Sequence, residues 1–317
     1  METNHIDINL RPDSKDISQA LLLGLAIGDA LGVPVEFKKR SSFHVDSMTG
    51  YGSHNQPPGT WSDDTSLALA LADNINDGKV NLNDVAQSFI AWRKAGKYTP
   101  HGEVFDIGGA TSTAIRRLAQ GIQPEKAGGV DEWDNGNGSL MRIAPLLFCL
   151  LDKTLEERFA LAASVSSITH GHPVSKFACF LFLEMLLMLY NGHSKEEAYA
   201  ALRKNRELYA QFILPQFVGR FSRLLESDIS LLPEDEIKSG GYVIDTLEAA
   251  FWAFLNNDSY RDTVLAAVNL GEDTDTTGAV AGALAGLYYG LSEIPEDWIK
   301  CLTKSGEIRE IAKKMLK

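Results

Sequence analysis

The sequence has no run of lysine or arginine longer than three residues, few cysteines, no Ser/Gly/Pro-rich linker and no sustained apolar–polar alternation, and each shortage removes a class of reading. Neutralising a nucleic-acid backbone needs a basic surface, so a net charge of -12 without a longer basic run argues against a nucleic-acid partner. The three cysteines, Cys149, Cys179 and Cys301, lie far apart without metal-ligand spacing. The first two sit in apolar runs, which fits buried thiols in a reducing cytoplasm. The longest apolar run, residues 177–190, is too short for a membrane span and is interrupted by Glu184, so no membrane association is expected. Residues 1–16 are polar, lack the apolar core of a secretory signal and are expected to form a flexible N-terminal extension. The 11 prolines and 27 glycines are scattered without marking a boundary, and 44% hydrophobic content supplies a large core, so residues 17–317 read as one domain. With no period-two pattern anywhere, the expected fold is all-α, a single compact multi-helix domain.

What the chain does contain is oxygen, concentrated in two places. Gly271-Glu272-Asp273-Thr274-Asp275-Thr276-Thr277-Gly278 runs directly into a small-residue apolar helix. Far upstream, Thr60-Trp61-Ser62-Asp63-Asp64-Thr65 stands before Leu67, Leu69 and Leu71 in the same way, in a helix expected to reach Asn76. Asp, Ser and Thr at a helix start cap free N–H groups and meet the positive end of the macrodipole, which is a sufficient explanation for either cluster alone. Capping uses about one such side chain per helix. Here Asp63, Asp64, Asp273 and Asp275 supply four carboxylates, with Ser62, Thr276 and Thr277 beside them. Four anions gathered by a fold repel unless a cation sits among them. The all-oxygen donor set, with no Cys or His, suits Mg²⁺ or Mn²⁺ better than zinc, and the working expectation is a two-metal site.

The remaining stretches are scaffold with a few unusual points. Residues 18–31 show helical apolar spacing, with Gly24, Gly28 and Gly32 four apart, so another backbone is expected to press against that face. Pro34 should end the helix and leave Glu36 on a loop, where a lone glutamate is ordinarily solvated. Residues 41–60 form an aperiodic loop of the length used for lids and binding loops. Asp134-Asn135-Gly136-Asn137-Gly138-Ser139-Leu140-Met141-Arg142 reads either as hairpin-turn chemistry or as a cradle of backbone N–H groups, with Ser139 opening a helix over residues 143–151. Thr169-His170-Gly171-His172 precedes a long buried helix, expected over residues 175–190, and is too sparse in histidine for a metal site. Tyr242 follows Ser239-Gly240-Gly241 and either packs on the core or stacks on a planar ligand; the helix after it is expected over residues 249–255.

Taken in order, Gly28-Asp29-Ala30-Leu31-Gly32 with Glu36, Thr60-Trp61-Ser62-Asp63-Asp64-Thr65, Asn137-Gly138-Ser139-Leu140-Met141-Arg142, Thr169-His170 and Asp273-Thr274-Asp275-Thr276 resemble the ADP-ribosylglycohydrolase family. The resemblance spans about residues 18–292. It implies one all-helical domain in which Ser62, Asp63, Asp64, Asp273, Asp275 and Thr276 hold two Mg²⁺ ions, or Mn²⁺. It further implies that Glu36, Asp63 and Asp275 carry the catalysis, and that Asn137, Gly138, Ser139, Met141 and His170 line the diphosphate and ribose. Tyr242 falls where a residue stacking on adenine is expected. Glu272 departs from the small residue usual there and adds negative charge beside the metals. The implied activity is hydrolysis of the glycosidic bond between ADP-ribose and a protein side chain, arginine by closeness to the dinitrogenase-type branch. The partners implied are an ADP-ribosylated protein and ADP-ribose, with an ADP-ribosylating toxin as a possible contact of the N-terminal extension. Two other readings stay open: a non-catalytic ADP-ribose binder keeping the fold, and a phosphohydrolase cutting the diphosphate.

Overall fold

Helix α1, Ser14–Gly32, is the axis of the molecule. The computed structural model describes residues 14–316. Most of the expected N-terminal extension therefore lies outside the described residues, and its last three positions already belong to α1, whose first turn carries Asp16 at the positive end of the helix.

Subsequent helices are α2 (Asp63–Ala72), α3 (Leu82–Ala95), α4 (Gly109–Ala119), α5 (Leu155–Ser167) and α6 (Pro173–Tyr190). After a ten-residue helix over Lys195–Lys204 and several short turns come α7 (Val243–Leu255), α8 (Tyr260–Asn269), α9 (Thr274–Tyr289) and α10 (Ser305–Lys314). The glycine face of α1 meets α9, which carries its own glycines at matching intervals. A Cβ on Gly28 would lie 2.0 Å from the carbonyl oxygen of Gly278, so only glycine lets these two backbones touch. Tyr260 of α8 donates its hydroxyl to the Gly24 carbonyl at 2.8 Å, and Thr274 donates to the Gly32 carbonyl at 2.8 Å. The first bond ties α8 to the middle of α1, and the second fixes the C-terminal end of α1 against the N-terminal end of α9. At the other end of α1, α10 packs across its start, with Ser18 Oγ donating to the Ala312 carbonyl at 3.1 Å.

Two helices have the length and apolar content of a membrane span, over Asp16–Val35 and Pro173–Tyr190, but 94% and 78% of those windows are buried inside the protein. They are core helices. Along α6, Phe177, Phe180, Leu181, Phe182 and Leu183 are all inaccessible, each contributing roughly 1.5–3 kcal/mol of transfer free energy. Its buried Glu184 is held by Arg158, with Nη2 to Oε2 at 2.9 Å.

Four local expectations change. α2 stops at Ala72 instead of reaching Asn76, because Ile75–Asn76 pairs antiparallel with Lys79–Val80. Asp77 and Gly78 between them have φ of 48° and 64°, the geometry of a tight hairpin turn. Residues 143–151 are not an α-helix: a 3₁₀ segment covers Ala144–Cys149, where Pro145 cannot donate the hydrogen bond that an α-helix would need. The long buried helix starts at Pro173, where a proline at the first position costs no hydrogen bond. α7 starts at Val243, six residues before the expected Ala249, because Val243 N–H already donates to the Asn135 carbonyl at 3.0 Å.

Candidate functional site

The α1–α9 contact and the start of α2 bring both acidic clusters to one place. Asp29, on α1, accepts the Ser62 N–H at 2.9 and 3.1 Å, the Thr65 N–H at 3.0 Å and the Thr65 hydroxyl at 2.6 Å. It thereby fixes the first turn of α2 to the central helix. Ser62 is a true cap, its hydroxyl accepting from Asp64 N–H at 3.3 Å and donating to Asp64 Oδ2 at 3.0 Å. The carboxylates do not cap. Asp273 precedes α9 without a side-chain cap bond, and its Oδ2 instead accepts from Asn137 Nδ2 at 2.9 Å. Capping thus explains Ser62, and a first-turn N–H bond from Thr276 at 2.9 Å explains one oxygen of Asp275, but the other carboxylate oxygens of the four aspartates remain without that role.

Those aspartates face one another. Glu36, Asp273 and Asp275 each place a carboxylate oxygen so that all three lie within 4.8 Å of one another. Asp63, Asp64 and Asp275 are pushed well above the usual carboxylate range, first by burial and then by repulsion from their neighbours, which include Asp273 for all three. Asp273 is raised by the same burial, partly offset by its bond from Asn137. Burial also lifts Asp29 to about 6 and Glu36 to about 7. Asp64 Oδ1 and Asp275 Oδ2 are buried with no hydrogen-bond partner. An unpaired buried carboxylate oxygen costs several kcal/mol, and two of them aimed into a cluster of anions are what hard divalent cations satisfy. The donor set fits metal.

Above the cluster opens a cleft of about 480 Å³. Glu36, Asp63, Asp273 and Thr276 form its floor, and Asn137, Gly138, Met141 and His170 form one wall. Gly138 has no room for a side chain, since a Cβ would lie 2.8 Å from His170 Cε1 and 2.9 Å from Thr111 Oγ1. His170 is held neutral, its pKa pushed down to about 3 by burial and by the nearby Arg142 guanidinium. Its Nδ1 bonds Thr169 Oγ1 at 2.8 Å. Arg142 lies wholly buried beneath the loop, bonded to the Gly138 carbonyl and resting 4.9 Å over the Phe89 ring.

The acid cluster gathers Glu36 and the expected metal ligands, whereas Ser139 and Tyr242 sit away from the cleft. Glu36 is not the solvated loop residue that its position in the sequence suggests, but only 5% exposed. Ser62, Asp64 and Asp275 lie beneath the cleft surface. Ser139, expected at the diphosphate, turns its side chain into the core, where its hydroxyl accepts from Ser166 Oγ at 2.9 Å and lies 3.4 Å from Cys179 Sγ. Tyr242, expected at the adenine, pairs its backbone with Gly136 while its ring lines an adjacent cavity with Arg220 and Arg223. Glu272 is exposed and lines an outer cavity with Arg40 and Lys238, so its charge does not enter the acid cluster.

Asp29, His54, Asp106, Trp133 and the start of α4 carry no role that the sequence alone assigns. Gly108, Gly109, Ala110 and Thr111 line the cleft, and no side chain caps their N–H groups. The Gly108-Gly109 pair before a helix was the signal for such an open N-terminus. Phe37, 69% exposed, and Trp133, 95% exposed, stand at the rim. A second cleft of about 500 Å³, under Phe177, Ile213, Phe221 and Leu225, contains none of the clustered acids.

Residues 10–317 match the family model described as ADP-ribosylglycohydrolase. The chain is 36% identical to ADP-ribosylarginine hydrolase Tri1 of Serratia proteamaculans, over 96% of its own length and 81% of that protein's. It is 30% identical to the ADP-ribosyl-[dinitrogen reductase] glycohydrolase of Rhodospirillum rubrum, over 96% of both chains. Among solved structures, an ADP-ribosylglycohydrolase-related protein complex superposes with a TM-score of 0.80 at 34% identity, covering 96% of this chain and 98% of that one.

Proposed function

The chain belongs to the ADP-ribosylglycohydrolase family, and from that premise we propose that it releases mono-ADP-ribose from modified arginine side chains by a metal-dependent hydrolysis. The observation that carries the metal requirement is the pair of buried, unpartnered oxygens, Asp64 Oδ1 and Asp275 Oδ2, inside a cluster of carboxyl groups. Ser62, Asp63, Asp64, Asp273, Asp275 and Thr276 are the residues that would hold two divalent cations, Mg²⁺ or Mn²⁺. When bound, such ions supply a template for the ribose hydroxyls and a source of activated water. A reducing cytoplasm is the compartment we assign, in keeping with three unpaired cysteines.

The protein's own groups provide the rest. A diphosphate at the α4 start meets uncapped N–H groups at the positive end of that helix. The neutral His170 imidazole beside Gly138 bonds the substrate without adding charge. Hydrolysis adds water across the C1–N bond, so a proton must leave the water and one must reach the departing guanidine. Glu36, whose pKa burial raises to about 7 in the metal-free protein, is the group we assign to moving that proton.

The rim favours arginine as the acceptor. A guanidinium is planar and cationic, and the cleft offers the Glu36 and Asp106 carboxylates together with the exposed rings of Phe37 and Trp133. A serine acceptor would use none of these. The test is release of ADP-ribose from ADP-ribosyl-arginine protein and from ADP-ribosyl-serine peptide, with Mg²⁺, Mn²⁺ or EDTA. Turnover on the arginine substrate, abolished by EDTA and reduced about 100-fold or more in Asp64→Asn and in Asp275→Asn, is expected. Preference for serine removes the acceptor assignment, AMP as product identifies a phosphohydrolase, and binding without turnover identifies a binder.

A further inference from the structure

Residues 41–60 have the length of a lid, yet the tip of this loop is anchored on the Glu36 segment. Ser53 Oγ donates to the Glu36 carbonyl at 2.6 Å, and the next residue, His54, bonds the Glu36 carboxylate through Nε2. The loop tip is itself closed by a backbone pairing of Tyr51 with Gln56. The His54 ring lies between two others, 5.9 Å from Phe37 and 5.2 Å from Phe105. Phe37 follows Glu36 in the chain and Phe105 precedes Asp106, so the imidazole is gripped by the immediate neighbours of the two cleft carboxylates that the metal assignment leaves unused. Atoms of Glu36, His54 and Asp106 converge within 4.8 Å of one another.

We propose that His54 is a positioning residue for the hydrolysis: its Nε2–H fixes the Glu36 carboxylate at the mouth of the acid cluster and ties the Phe105 and Asp106 segment to it. Three separate chain segments, around residues 36, 54 and 105, then move as one unit. Without that bond, Glu36 would be a buried carboxylate free to rotate away from its like-charged neighbours Asp273 and Asp106, whose repulsion pushes it outward. His54 does not line the cleft, so it acts through Glu36 and not on the substrate.

This inference rests on the hydrolase reading for its kinetic arm, and a second arm does not need turnover. Three variants separate hydrogen bonding from packing. His54→Gln keeps an N–H donor, His54→Phe keeps an aromatic ring between Phe37 and Phe105, and His54→Ala keeps neither. Expected is a kcat loss of about 10- to 100-fold in the Phe and Ala variants with KM for ADP-ribosyl-arginine protein nearly unchanged, and recovery of most of that loss in the Gln variant. A His54→Phe enzyme with wild-type kcat, or a loss confined to KM, overturns the proposal. Independently, the ¹⁵N resonance of His54 Nε2 should shift on Glu36→Gln in the unliganded protein. An unchanged resonance overturns the pairing whether or not the protein turns over any ADP-ribosyl substrate, while absence of turnover in the wild type overturns only the hydrolase reading.

Discussion

Thr65 gives both its backbone N–H, at 3.0 Å, and its hydroxyl, at 2.6 Å, to the same oxygen of Asp29. With the Ser62 N–H bound as well, each of these hydrogen-bond partners of the carboxylate is a donor. Asp29 does not line the cleft, yet it sets the angle at which α2 presents Asp63 and Asp64.

Replacing Asp29 by Asn turns one of its oxygens into a donor facing donors, at a cost of about 1–3 kcal/mol. The Asp29→Asn protein should fold, melt a few degrees lower and bind Mn²⁺ about 10- to 100-fold more weakly, as seen by calorimetry. Unaltered Mn²⁺ affinity would show that α2 holds its own orientation.

The acid cluster makes stability depend on pH in an unusual direction. The ordinary values for Asp29 and Glu36 are 3.8 and 4.5, and the folded protein raises them to about 6 and about 7. Between pH 4 and 7 the folded chain therefore keeps protons that the unfolded chain has released, so stability falls as pH rises through this window. In EDTA the melting temperature should be higher at pH 5 than at pH 8. Mn²⁺ binds the ionised forms, so its stabilising effect should be larger at pH 8. A melting temperature in EDTA that climbs from pH 5 to pH 8 would contradict the burial of these groups.

Trp133 is 95% exposed at the rim and carries almost no packing. Trp133→Ala should leave the melting temperature unchanged and raise KM for an ADP-ribosyl-arginine protein several-fold with little change in kcat, because stacking at an exposed site contributes about 1 kcal/mol. An unchanged KM would place the substrate elsewhere on the rim.

Much of this arrangement was legible in the sequence because it is written in short-range patterns. Glycines four apart in α1 forecast a touching backbone, and α9 supplies it at Gly278. Oxygen-rich turns before apolar helices forecast the two acid clusters, and these meet beneath one cleft, lined by Asp63 from the first and Asp273 from the second. What escaped was set by chain path. His54 and Asp106 lie in loops without periodicity, and only tertiary packing brings them to Glu36. Ser139 belongs to a run of small polar residues that looks uniform, but the chain turns between Gly138, at the cleft, and Ser139, in the core. Asp29 sat within a recognised motif, yet nothing local shows that its partners lie 33 and 36 residues downstream.

The seam between α1 and α9 also has a meaning for the timing of biosynthesis. The Thr274–Gly32 bond spans 242 residues, so when α1 leaves the ribosome its glycine face has no mate until nearly the whole polypeptide has followed. Release of a nascent chain halted before residue 271 should yield a product that captures no Mn²⁺, however long it is allowed to mature, because Asp273, Asp275 and Thr276, half of the proposed ligands, have yet to be translated.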